Sequence, residues 1–90
     1  MDAVEVIKCL KALKGVGFGG VYEKSTFQCD RRKKGGVQKV TVEILDAGPE
    51  GGESRYHCLA EGEDGVKATG NPAGTIRSVL GTVHWGDLDR

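Results

Sequence analysis

The sequence predicts an α+β domain: two helices packed on one face of a three- or four-stranded antiparallel sheet, in the order α-β-β-β-(β)-α. Three observations predict it. Apolar residues recur at three- and four-residue steps near each end of the chain, whereas between residues 21 and 69 the period is two. The glycines, 15 in 90 residues and more than twice the usual share of about 7%, lie mostly between the patterned segments, where they read as turns. Ninety residues make one domain, 1–90, which buries roughly 60–65% of the surface its unfolded form exposes, enough for one two-layer core.

The first helix is expected over residues 3–14. Ala3, Val6, Ile7, Leu10 and Leu13 make one apolar face, and Lys8, Lys11 and Lys14 the other. Asp2 caps its start, Glu5 sits near the positive end of its dipole, and Gly15 marks its stop. Residues 21–29 alternate, with Val21, Phe27 and Cys29 on one face. Residues 38–46 alternate more cleanly, with Val40, Val42 and Ile44 on one face. Between them "DRRKKGG" places Gly35 and Gly36 where a tight hairpin needs positive φ. "DAGPEGGES" is an acidic loop, and Arg55–Ala60 is a third strand with Tyr56, Cys58 and Ala60 on one side. Residues 66–69 make a short fourth strand. The second helix is expected to begin with Asn71 as its cap and Pro72 at its first position, to carry the stripe Ile76, Val79, Leu80 and Val83, and to end at Gly86. Gly74 and Gly81 imply close packing against that helix, and residues 87–90 read as a tail.

The second half of this pattern, residues 40–83, resembles a double-stranded RNA-binding domain: strand, Gly-Pro loop, strand, turn, strand, polar entry, helix. The resemblance implies a dsRBD-like layout with the helices on one side of the sheet. It does not carry over the family's RNA contacts. Gly48-Pro49 is followed by Glu50, Gly51, Gly52 and Glu53 where the family has a histidine, and Asn71–Gly74 stands where it has a lysine cluster.

"GVGFGG" matches a dinucleotide-binding glycine spacing at Gly15, Gly17 and Gly20. That fingerprint follows a strand and opens a helix, whereas here it closes a helix and leads into a strand, so a phosphate would meet the wrong end of the dipole. Net charge is zero but unevenly spread. Lys24 to Lys39 holds six cations against Asp30, and Glu43 to Asp64 holds seven acids against Arg55. The hairpin tip Arg31, Arg32, Lys33 and Lys34 is the candidate nucleic-acid contact; its alternative role is a charged turn that protects a sheet edge. Trp85 either covers the open end of the core or, with His84, forms a protein-binding edge. Cys9, Cys29 and Cys58 are odd in number and read as reduced thiols, Cys29 and Cys58 as small core residues. No C-x-x-C spacing, paired carboxylates or triad emerges, so neither a metal, a cofactor nor an enzyme is expected.

No apolar run approaches the ~20 residues of a membrane span, and the lysines at 8, 11 and 14 break any apolar signal core, which predicts a cytoplasmic chain. The expected function is that of a small non-catalytic protein-interaction domain, with its own copy among the partners considered. The alternative is a nucleic-acid-binding module that uses the basic tip.

Overall fold

The computed structural model describes residues 2–89. Its elements are α1 (Ala3–Ala12), β1 (Glu23–Lys33), β2 (Gly36–Asp46), a 3-10 segment Pro49–Ser54, β3 (Tyr56–Gly62), β4 (Lys67–Thr69), α2 (Ile76–Thr82) and a 3-10 turn Trp85–Asp89. The four strands form one antiparallel sheet in the order β1-β2-β3-β4, as the alternating segments predict.

The first hairpin is longer than its apolar pattern suggests. Arg31, Arg32 and Lys33 pair with Gln38, Val37 and Gly36, so the turn is reduced to Lys34 and Gly35. Gly35 has φ +91°, a left-handed conformation that only glycine adopts at little cost, which is what lets the basic run be strand up to its last residue.

Pairing fixes the faces. Val40, Val42 and Ile44 share the inner face with Cys58 and Ala60, and Ala68 follows on β4. Val79, Val83 and Leu88 close the core from above, with Ile44, Tyr56, Ala73, Leu80 and Trp85 packed around it. Ala60 and Ala68 are almost wholly buried. Their small side chains bring the α2 layer close to the sheet. At Gly70 the approach is closer still: a Cβ there would overlap the Thr82 carbonyl, so only glycine fits. Gly74 also lies close to its neighbours, near the Gly52 carbonyl, whereas Gly81 faces open space.

Three elements depart from the sequence reading. Asn71 and Pro72 do not start α2. The backbone of Ala73 exchanges hydrogen bonds with Tyr56 (2.9 and 3.1 Å), which holds residues 71–74 along the start of β3. The helix waits for the next capping residue, Thr75, whose hydroxyl accepts from the Ser78 N–H. The chain end is no tail. The helix stops at Thr82, and the turn Trp85–Asp89 places Leu88, fully buried, in the core. Lastly, α1 is capped by Asp2 as expected but lies at the open end of the first hairpin. Its residues Val4, Ile7 and Ala12 border a cleft with Ala47, Gly48 and Pro49, and Ile7 is buried outside the main core. α2 and the final turn cover β3 and β4 instead.

Candidate functional site

The placement of α1 leaves the inner face of β1 uncovered. Register puts Ser25, Phe27, Cys29 and Arg31 on that face, beside Ile44, Val42, Val40 and Gln38. Val42 is 7% exposed, yet Phe27, its neighbour across the pair, is 52% exposed. Cys29 is likewise exposed beside buried Val40. The sequence reading of Cys29 as a core residue is therefore half right: the face it shares with Phe27 is inner, but no helix reaches it. Strand periodicity reports the face and says nothing about what covers it. Cys58, on β3 under α2, is buried, and that burial pushes its thiol pKa up.

The four tip cations are not equivalent. Arg31 turns to the inner face, where its guanidinium donates to both oxygens of Asp89 (2.6 and 3.2 Å) and to Gln38 Oε1 (3.3 Å). Gln38, itself buried, donates through Nε2 to the Leu88 carbonyl (3.0 Å). Arg31 and Gln38 thus fasten the final turn to the hairpin. Hydrogen bonding to Arg31 holds the Asp89 carboxyl below its usual pKa and raises that of Arg31. Arg32 lies on the outer face opposite Val37, Lys33 closes the ladder, and Lys34 sits in the turn, all exposed. All four cations border one shallow hollow with Asp89, whose carboxylate sits among the charges that a phosphate would seek.

Trp85 is half-buried against the core, and its indole N–H donates to the Leu80 carbonyl (3.1 Å). His84 is exposed, and its backbone N–H donates to Thr69 O, beside the short edge strand (3.1 Å). The same 3-10 turn thus carries Trp85 at one end and the Arg31 partner Asp89 at the other. Neither Gln38 nor Leu88 was marked by sequence reasoning. A polar residue leading the strand Val40-Val42-Ile44 is the one signal that would have raised Gln38.

On the outer face the separated charges of the sequence come side by side. Lys24 pairs with Glu43 (2.8 Å), and Lys39 shares a hollow with Glu43, Glu61 and Glu63. Tyr22 meets His57 edge to face, with centroids 5.8 Å apart. At the loop after β2, Asp46 accepts from Gly48 N–H (2.8 Å) and from Arg55 (2.8 and 3.1 Å). Hydrogen bonding to Arg55 comes first among the causes that hold the Asp46 carboxyl below its usual range.

The glycine motif occupies the exposed segment between α1 and β1, in the order helix, loop, strand. Among the described residues no three His, Cys, Asp or Glu side chains converge as a metal site. No described helix is long and apolar enough to cross a membrane. Comparison of the chain with protein-family models, with curated proteins and with solved structures finds no match.

Proposed function

We propose that this chain is a small non-catalytic protein-interaction domain that receives an extended partner segment along β1. The observation that carries the reading is the asymmetry of the sheet edges. β1 runs for eleven residues with a strand neighbour on one side only, and all but Ser25 and Arg31 are exposed. An unpaired edge presents a row of free N–H and C=O groups, the template for strand addition. Phe27 gives that edge an apolar anchor continuous with the core. Unpaired thiols at Cys9, Cys29 and Cys58 fit a reducing compartment, and the cytoplasm is part of this reading.

The test is selection of ten-residue peptides on the immobilised chain, followed by amide-shift mapping. Selected peptides are expected to move amides of residues 23–33, and Phe27→Lys, an inward charge on the edge, is expected to weaken them at least ~10-fold. Peptides that map elsewhere, or that bind the Phe27→Lys chain equally well, reject the reading.

A second reading is nucleic-acid contact through Arg32, Lys33 and Lys34, which are exposed and without an ion pair among the described residues. The likeness of residues 40–83 to a double-stranded RNA-binding domain belongs with it. Titration of generic duplex RNA and DNA at low salt tests it, with the three cations changed to Ser and Arg31 retained. Absence of binding by the native chain rejects it.

A further inference from the structure

We infer that the segment received by β1 is β1 of a second copy, in one register, with Phe27 on the two-fold axis. The inference rests on the reading of β1 as the contact edge and adds the identity of the partner.

Two antiparallel copies related by an axis perpendicular to the sheet keep inner face with inner face, so the axis must pass through a residue. Each choice of central residue gives a different set of opposed pairs. With Phe27 central, Glu23 faces Arg31 of the second copy, Lys24 faces Asp30, Ser25 faces Cys29 and Thr26 faces Gln28. Every charged residue from 23 to 31 then meets its opposite, twice over by symmetry. Shifting the centre to Gln28 sets Lys24 against Arg32. Centring on Thr26 leaves all these charges opposite neutral residues, and centring on Cys29 sets Lys24 against Lys34. Complementarity therefore selects one register out of four. Opposite charges across a strand pair are stabilising, and like charges directly opposite are not.

The same register completes the apolar face. Phe27 sits beside buried Val42 within its own chain. Centring on it produces the continuous row Val42, Phe27, then Phe27 and Val42 of the second copy. Cross-strand aromatic pairs are among the better sheet contacts. Arg31 can serve both partners: its contacts to Asp89 and Gln38 use the two Nη groups, and a guanidinium has five N–H donors.

Sedimentation equilibrium of the full chain tests this with two single variants. Lys24→Glu sets carboxylate against Asp30 of the second copy, and Asp30→Lys sets ammonium against Lys24. The parent is expected to show a monomer–dimer equilibrium, and each variant alone to raise the dimer Kd about 10-fold, since two pairs per dimer change sign. Mixed one to one, the variants are expected to recover affinity within about 3-fold of the parent, because both cross pairs are again opposite in charge. Only contact between copies can produce that rescue, whatever each substitution does within its own chain.

A parent that stays monomeric overturns the inference. So does a dimer indifferent to both variants, one that Lys24→Glu tightens (the Gln28 or Cys29 register), or a mixture no tighter than its components. The two levels separate cleanly. A monomeric parent whose residues 23–33 still respond to selected peptides keeps the interaction reading and removes the second copy. A dimer that leaves those amides unmoved removes both.

Discussion

The two edges of this sheet are built on opposite principles. β4 is three residues long and lies under the final turn, with the His84 N–H reaching across to the Thr69 carbonyl. Its brevity and its cover are two of the ways proteins keep an edge from pairing. β1 has neither. It is eleven residues long, its anchor Phe27 is half exposed, and the helix that might have covered it sits at the hairpin's open end. The difference shows that an apolar alternating strand earns burial only where the second layer reaches. Here that layer is α2 and the turn after it, which together cover β2 through β4.

The sharpest way to break the comparison is kinetic. Cys58 lies under the covered part and Cys29 on the open strand. With a thiol reagent under native conditions, Cys29 and Cys9 are expected to react at least ~100-fold faster than Cys58, which must wait for opening and whose pKa burial raises. Comparable rates would mean that the core is not closed over β3.

Stability comes next. Leu88→Ala, in the fully buried residue of the final turn, is expected to cost about 2–5 kcal/mol in denaturant unfolding. A value under 1 would show that the turn is an ornament of the fold. Gly70→Ala forces a methyl into the Thr82 carbonyl and is expected to cost roughly 1–3 kcal/mol, with α2 displaced. The Asp46–Arg55 pair contributes less, with a definite pH signature. Because folding lowers the Asp46 pKa below its unfolded value of about 3.9, the contribution is full above that pH and is lost as pH falls through the folded value. Asp46→Asn should therefore lower Tm at pH 7, and its deficit should shrink toward pH 3. The smallest effect belongs to the open edge. In the monomer Phe27→Ala is expected to change stability by no more than about 0.5 kcal/mol, against several for Leu88→Ala. A large loss there would mean that Phe27 is covered.

Much of the local structure was readable. Asp2 and the 3.6 period predict α1, the double glycine predicts the hairpin turn, and Tyr56, Cys58 and Ala60 declare their shared face. The candidate site was readable only in part. "EKSTFQCDR" is antisymmetric in charge about Phe27, a pattern present in the sequence but meaningless until β1 is known to be an edge. The tip cations announced themselves as a group. That Arg31 leaves the group for Asp89, 58 positions away, is invisible to any window of neighbouring residues.

The sequence by itself determined which segments are helix and which are strand, the hairpin turn chemistry and which side chains share a face, because caps, glycines and periodicity act over a few residues. Tertiary structure decided the start of α2, the burial of Leu88, the exposure of Phe27 and the division of the basic tip. Each of these depends on which distant segment occupies a limited area of sheet. Ala73 bonded to Tyr56 postpones a helix that Asn71 could have capped, and Val79, Val83 and Leu88, not α1, fill the core over the sheet.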